Sequence, residues 1–266
     1  MSVNPPSDTN QISGNVLFYS RPEPLNVEAH GKLGLRRIDR PFAFAGASQI
    51  SPLTVTEFQL ACQNYPIIFA GDGRQPLAVM GVNPDSNMFV GANGLFETGT
   101  YVPAYIRRYP FVLANDPANE QLVVCIDRGA VMLGDLPDLP FFDPAGQPTE
   151  YTKGCIQFCN DFEAECRRTE SFVALLKDLD LFEVRKQTFT PTNADGSPGV
   201  QQDVAEYFAV SEDRLKALPD AKVRELLDNG AMSQIYAHII SLNNWDRLIT
   251  VAIARQNSAP QAANLN

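Results

Sequence analysis

Short apolar runs separated by turn residues dominate the first half of the chain, from residue 26 to about residue 143. Runs of this length and spacing are typical of strands, so this half is predicted to be mostly β. One helix interrupts the pattern over residues 55–64, with Thr54 placed to cap it and Tyr65-Pro66 placed to end it. The predicted extended runs are residues 42–44, 66–70, 77–82, 111–113 and 122–127.

The pattern changes after the turn at residues 143–146, where apolar side chains recur at spacings of four, three, four and four. This periodicity predicts an amphipathic helix, because residues at such spacings share one helix face. The helix is predicted to continue or restart through further apolar positions up to Leu179. Its first apolar face consists of Tyr151, Cys155, Phe158, Phe162 and Cys166.

The rest of the second half is predicted to be a small β insertion followed by helices. The insertion comprises extended segments at 182–189 and 204–210, joined by a hairpin-like loop at 193–199. Helices then follow from Ser211 to residue 254.

These elements predict an α+β protein with a single domain over residues 21–255. Within that domain a β-rich portion, 21–147, is expected to pack against a mainly helical portion, 148–255. The two ends, 1–20 and 256–266, lack apolar periodicity and are predicted to be flexible.

Composition and charge narrow the possible partners. The chain has 266 residues and a formal net charge of −10, which argues against nucleic acid because phosphate binding depends on clustered Lys and Arg. Its apolar stretches are far shorter than the roughly 20 residues that span a bilayer, so no transmembrane segment is predicted. The polar N-terminus does not resemble a secretory signal. A cytoplasmic location is therefore expected, with association with the envelope left open.

The chain offers few residues for metal or cofactor chemistry. It has two histidines, and neither lies at a metal-binding spacing. Gly71-Asp72-Gly73 lacks the rest of a phosphate-binding loop and predicts a turn. Cys155 and Cys159 lie one helical turn apart and predict a packed helix face. We therefore predict no metal, no cofactor and reduced thiols. A Cys–His or Ser–His pair formed only in space leaves no sequence trace, so the question of enzymatic activity stays open.

One aromatic and basic segment, residues 101–111, is a candidate for ligand binding. Aromatic rings offer rigid contact area, and an arginine holds a carboxylate through two hydrogen bonds. In an extended segment neighbouring arginines face opposite sides, so one of them is expected to enter a pocket and the other to form a structural ion pair. The alternative is that the aromatic residues fill the core. The predicted ligand-binding residues are Tyr101, Tyr105, Arg107, Arg108 and Tyr109, with His30 and His238 as further contributors.

Several segments in the same order resemble the SapC family of bacterial proteins over about residues 24–250. One departure is the stretch Gly94-Leu95-Phe96, where the family pattern has a tryptophan. The segments are LNVEAH at 25–30, PLTVTEF at 52–58, YPIIF at 65–69, YVPAYIRRYPF at 101–111, LPFFDPAGQPT at 139–149 and IYAHIISL at 235–242.

The resemblance implies a bacterial protein linked by name to the surface layer. Its relatives tend to be encoded near flavin-dependent halogenases, cupin-like proteins and outer-membrane receptors, but it implies no defined reaction. The expected function is a non-catalytic peptide- or protein-binding accessory role in a surface-layer or uptake system. The alternative is an enzyme, or the partner of an enzyme, that modifies a peptide or small molecule.

Overall fold

A computed structural model describes residues 17–83, 85–116, 121–190 and 197–258. The predicted flexible ends up to residue 16 and from residue 259, and most of the predicted loop at 193–199, lie outside these residues. The strands among them are β1 (Pro22–Pro24), β2 (Gly34–Leu35), β3 (Ile50–Pro52), β4 (Ile67–Ala70), β5 (Gln75–Val79), β6 (Phe111–Asp116), β7 (Gln121–Asp127), β8 (Leu133–Gly134), β9 (Leu139–Pro140), β10 (Phe182–Phe189) and β11 (Gln202–Val210).

The helices confirm the predicted change of character along the chain, because the long ones all follow residue 149. Two short 3-10 helices, Ala43–Ala45 and Val55–Glu57, occur in the first half. The α-helices are α1 (Val27–His30), α2 (Phe58–Ala61), α3 (Ala104–Arg107), α4 (Glu150–Asp178), α5 (Glu212–Lys216), α6 (Asp220–Asp228), α7 (Ala231–Ser241) and α8 (Asn244–Ser258). The predicted α+β class is thus confirmed.

The chain divides into two compact units. The first comprises Met1–Pro41 and Arg108–Glu163 and contains two small antiparallel sheets, with strand orders β1-β7-β6 and β8-β2-β9. The first half of α4 covers its core, where Cys159 is buried and Tyr151 and Cys155 pack beside it. The predicted packed cysteine face is therefore confirmed. The core residues are Leu33, Phe111, Ile126, Phe141, Phe142 and Cys159.

The second unit comprises Phe42–Arg107 and Ala164–Asn266. Its sheet has five antiparallel strands in the order β10-β11-β4-β5-β3, so the predicted small β insertion is one end of a larger sheet. Phe58 lies at the centre of the core, with its ring centroid 6.2 Å from that of Phe69 and 6.0 Å from that of Phe172. Helix α7 packs against β4 and β11. A single domain over residues 21–255 stays a prediction.

One local prediction was wrong, and a second was confirmed only in part. The run at 42–44 lies in a turn and the 3-10 helix Ala43–Ala45 rather than in a strand. The half-buried Phe42 packs against Phe96 from this turn, with 5.2 Å between the ring centroids. The helix predicted over 55–64 begins as a 3-10 helix and its α-helical part ends at Ala61. Strand β4 follows almost at once.

Candidate functional site

The segment that begins at Tyr101 is not extended, because residues 104–107 form the single helical turn α3. Arg107 is exposed, and its guanidinium lies 5.7 Å from the centroid of the Tyr101 ring. The Nε atom of Arg107 donates to the carbonyl of Val102 at 3.0 Å, and Nη2 donates to the Tyr101 hydroxyl at 3.2 Å. Tyr105 is buried in the same unit. The structure thus brings Tyr101 and Arg107 together at the surface.

A buried carboxylate, Glu57, fixes this segment, although the sequence had not singled it out. Its Oε1 atom accepts hydrogen bonds from the Tyr101 hydroxyl at 2.9 Å and from Ala104 N at 2.7 Å. Its Oε2 atom accepts from Thr54 N at 2.8 Å and from Thr54 Oγ1 at 2.9 Å. Burial, and next the charge of Glu57, raise the pKa of Tyr101 to about 12. The phenol is therefore a permanent donor to the carboxylate near neutral pH.

Arg108 and Tyr109 belong to the first unit and have other neighbours. The Arg108 guanidinium lies 4.7 Å from the ring centroid of Phe162 and 5.7 Å from that of Tyr19. The hydroxyl of Tyr109 donates to Asp127 Oδ2 at 3.3 Å. The two adjacent arginines thus lie in different environments. The predicted extended backbone is wrong, since Arg107 ends a helical turn. That one arginine enters a ligand pocket and the other forms a structural ion pair stays a prediction.

Asp127 accepts several hydrogen bonds in the first unit. It is 1% exposed, and its carboxylate accepts from the backbone N–H groups of Ser20, Arg21 and Gly129. Burial by itself raises the pKa of this carboxyl, but the backbone donors outweigh burial and the pKa is lowered. Burial, followed by the neighbouring Asp127, raises the pKa of Tyr109. These groups hold the N-terminal segment against β7.

The two histidines are both buried. His30 is 1% exposed, and its Nε2 lies 2.8 Å from Glu23 Oε1, an oxygen that also contacts Arg128 Nε at 3.1 Å. His238 is 0% exposed, and its Nε2 accepts from Val210 N at 3.0 Å. In this structure neither ring is open to a ligand, and a role for them in binding stays a prediction.

A polar recess near a strand edge lies elsewhere, at the start of β10. It is a groove of about 380 Å³ in the second unit. The guanidinium of Arg74 lies over the ring of Phe208, 3.4 Å from its centroid. Arg74 has a φ of 58°, a left-handed conformation that is costly for a residue with a Cβ atom. The groove is lined by Arg74, Lys177, Asp180, Phe182, Glu183, Val184, Phe208 and Arg214.

Backbone carbonyls hold the three cations of this groove in place. Arg74 Nη1 donates to Gly71 O at 2.6 Å, and Lys177 Nζ donates to Asp72 O at 3.0 Å. Arg214 Nη1 donates to Phe182 O at 3.0 Å and lies 3.0 Å from the carboxylate of the exposed Asp180. Asp180 neutralises Arg214, but a carbonyl does not neutralise a cation, so the charges of Arg74 and Lys177 remain available to an anionic ligand.

The groove adjoins an open sheet edge, because β10 is the terminal strand of its sheet. Phe182 pairs with Val210, whose N–H goes to His238 instead of to β10. This pair is therefore a non-hydrogen-bonded one. Since orientation alternates along an antiparallel strand, Phe182, Val184 and Lys186 direct their N–H and C=O groups away from β11. The hydrogen bond from Arg214 to Phe182 O agrees with that orientation.

Proline substitutions test this register. We expect Val184→Pro to fold with little loss of stability, because its N–H faces the open edge. Arg185→Pro removes an N–H that faces β11 and leaves an acceptor unpaired, at a cost of about 1–3 kcal/mol. Urea unfolding of both variants measures the difference. Equal losses, or the reverse order, would show that the assigned orientation is wrong.

Sequence reasoning missed the residues of this groove. The turn at Gly71-Asp72-Gly73 was predicted correctly, and so was the extended segment 182–189. Neither pattern shows that the turn carries Arg74 onto β11, or that β10 has no second neighbour. Only the strand order reveals both facts.

Metal and membrane features are scarce in the described residues. There, no group of three or more His, Cys, Asp or Glu side chains is placed to hold a metal ion. None of the helices in that part of the chain is long and apolar enough to cross a bilayer. Burial raises the pKa of both Cys125 and Cys159 to about 11. These two thiols are therefore poor nucleophiles near neutral pH.

Comparison with known proteins gives one match. The family model described as SapC matches residues 25–248, which is most of the chain. No curated protein and no solved structure matches it.

Proposed function

This chain belongs to the SapC family, and from that premise we propose that it is a non-catalytic peptide- or protein-binding accessory protein of a bacterial surface-layer or uptake system. The surface-layer or uptake role, and action from the cytoplasmic side, rest on the family resemblance. The binding role rests on one structural observation: the open edge of β10 ends in a groove that carries three cations.

An extended peptide fits this edge as an added strand. The outward N–H and C=O groups of Val184 and Lys186 supply main-chain hydrogen bonds, which give affinity in strand addition. Val184 is 56% exposed, and its cross-strand partner Phe208 lies on the same face. Together they offer an apolar contact for alternate side chains of the peptide.

The positive charges of the groove favour one orientation of the bound peptide along β10. A strand added antiparallel to β10 has its C-terminal end beside Phe182, where Arg74, Lys177 and Arg214 line the groove. A C-terminal carboxylate or an acidic side chain at that end gains charge-assisted hydrogen bonds. The proposed ligand is therefore an extended peptide with apolar residues at alternate positions and an acidic C-terminal end.

Binding of a defined peptide tests the proposal. A short fluorescent peptide of alternating Val and Thr that ends in paired Glu residues is compared with one that ends in amidated Lys residues. We expect the acidic peptide to bind at least about tenfold more tightly, since one lost charged hydrogen bond costs about 1.5 kcal/mol or more. Arg74→Met and Lys177→Met are each expected to weaken its binding about tenfold, and fluorescence anisotropy measures the affinity.

Two variants control this experiment. Lys222→Met removes an equal charge from the exposed surface of α6, does not line the groove, and should leave binding unchanged. Val184→Pro should abolish binding because it removes an outward N–H. Absence of binding by both peptides, or equal binding of the two, would count against the proposal. Conversion of the peptide, detected by mass spectrometry, would support the enzyme alternative instead.

A further inference from the structure

The open edge of β10 is complementary to itself. Because β10 is the terminal strand of its sheet, its outward N–H and C=O groups can pair with an extended segment, including β10 of a second copy of this chain. The register of β10 on β11 shifts between Gln187 and Thr188, so the regular part of the edge ends at Gln187. A second copy can therefore pair regularly only over residues 182–187.

Like charges disfavour most registers of such a pair. In an antiparallel pair of identical strands related by a two-fold axis, one residue lies opposite its own counterpart. An axis at Glu183, Arg185 or Lys186 places two like charges directly opposite each other, which is destabilising. An axis at Phe182 or Gln187, at either end of the regular edge, pairs half of that edge with residues outside it.

An axis at Val184 is the remaining register, and it pairs opposite charges. Glu183 then lies opposite Arg185 of the second copy, and the symmetry makes this pair occur twice. Within one chain the two side chains already form an ion pair, with 2.6 Å between Glu183 Oε1 and Arg185 Nε. The Glu183 side chain is 30% exposed and that of Arg185 is 42% exposed. Both are therefore accessible to a second partner.

The other face of the strand adds an apolar contact at the same place. Val184 is 56% exposed, and with the axis at this residue it packs against Val184 of the second copy. The two valines also exchange both main-chain hydrogen bonds, because each directs its N–H and C=O groups away from β11. Lys186 of the second copy lies opposite Phe182, where its alkyl stem covers apolar surface.

We propose that two copies of this chain associate through β10, antiparallel and with the two-fold axis at Val184. The dimer uses the same edge as the proposed peptide site, but it does not require that a peptide binds there. A second copy and a peptide exclude each other, so self-association blocks the peptide site at high protein concentration. The pairing involves about six residues a side, fewer than the roughly 20–30 of a stable interface, so we expect a weak dimer.

Sedimentation velocity of the full chain tests the proposal. We expect the parent to change from monomer to dimer as its concentration rises to about 0.3 mM, the range in which weak interfaces associate. Arg185→Glu and Glu183→Arg each place like charges opposite each other, and each should raise the dissociation constant at least tenfold. The matched charge reversal Arg224→Glu, on the exposed surface of α6, should leave association unchanged.

Mixing the two single variants tests the register itself. Glu183→Arg and Arg185→Glu face each other through two pairs of opposite charge, so their mixture should dimerise although each variant alone does so poorly. The double variant Glu183→Arg/Arg185→Glu should dimerise like the parent. A parent that stays monomeric over the whole range, a mixture that stays monomeric, or an Arg185→Glu variant that dimerises like the parent would overturn the proposal.

The acidic fluorescent peptide separates this proposal from the peptide site. If both are right, saturating peptide converts the dimer to monomer. Peptide binding by a chain that never dimerises contradicts only the dimer, and a dimer whose dissociated chains bind no peptide contradicts only the peptide site. A dimer that persists with peptide bound would show that the copies associate through another surface and would overturn the dimer proposed for β10.

Discussion

Lowering the pH from about 6.5 to about 4.5 is expected to reduce the free energy of unfolding by about 2–3 kcal/mol through His238 alone. Burial lowers the pKa of this imidazole from its ordinary value of 6.5 to about 3, with a smaller contribution from the charge of Arg185. A contact with the backbone of Ile67 acts in the opposite direction but does not outweigh burial. The unfolded chain therefore binds more protons than the folded chain throughout this range, about half a proton more at pH 6.5 and about one more at pH 4.5. Stability is thus lost as the pH falls.

The contacts of His238 explain why its protonation destabilises the folded state. Its Nε2 atom accepts the N–H of Val210 at 3.0 Å, and an imidazolium has no acceptor. Protonation thus breaks this hydrogen bond and places a charge beside Phe69, whose ring centroid lies 4.9 Å away. The site is at the junction of α7 with β11, so loss of its packing affects the main sheet of the second unit.

A variant isolates this contribution from the carboxyl groups that titrate at lower pH. His238→Gln keeps an amide oxygen that can accept from Val210 N–H, but it does not titrate. Urea unfolding at about pH 7 and about pH 4.5 should show a loss of stability smaller by about 2–3 kcal/mol in the variant than in the parent. Parallel pH profiles for the two proteins would show that His238 is not held neutral by burial.

The strands and the long helix could be predicted from sequence because each depends on local pattern. Segment 182–189 coincides with β10, and the four- and three-residue spacings located the first half of α4. The pairing of β11 with β4 had no such signal, since a strand pattern states which face is buried and not which strand lies beside it. Two-residue strands such as β2 are too short to carry a pattern at all.

The candidate sites were even harder to predict from local sequence patterns than the strand pairing. Arg74, Lys177 and Arg214 come from a hairpin turn, the end of α4 and a short helix, and no spacing in the chain connects them. Arg107 and Arg108 were conspicuous because they are adjacent in sequence, yet they belong to different units. Residues that cluster in space are brought together by the topology of the fold. A search for local sequence motifs therefore finds adjacent residues such as Arg107 and Arg108, and it misses clusters formed by distant segments.

Glu57 is a different case, because its signal was present in the sequence. Thr54 followed three residues later by Glu57 is the pattern of a capping box, and the expected contact exists, with Glu57 Oε2 accepting from Thr54 N at 2.8 Å. The sequence does not show that Oε1 also reaches Tyr101 and Ala104, 44 and 47 residues further along the chain. A local cap thus also fixes the segment that carries Arg107.

Removal of this carboxylate is expected to destabilise the second unit strongly. Glu57→Leu keeps an apolar side chain in a position that is 5% exposed but leaves the N–H groups of Thr54 and Ala104 and the Tyr101 hydroxyl without their acceptor. Each unpaired buried donor costs about 1–3 kcal/mol, so we expect a total loss of about 4 kcal/mol or more. Urea unfolding with an unchanged m-value would measure it directly.

Two milder variants should rank below Glu57→Leu and thereby identify the cause. Glu57→Gln retains one carbonyl oxygen and is expected to lose about 2 kcal/mol, because one backbone N–H then faces an NH₂ group. Tyr101→Phe removes only the hydroxyl donor at 2.9 Å and should lose about 1 kcal/mol. A loss of less than 1 kcal/mol in Glu57→Leu would mean that water replaces the carboxylate and that the segment up to Arg107 is positioned by packing alone.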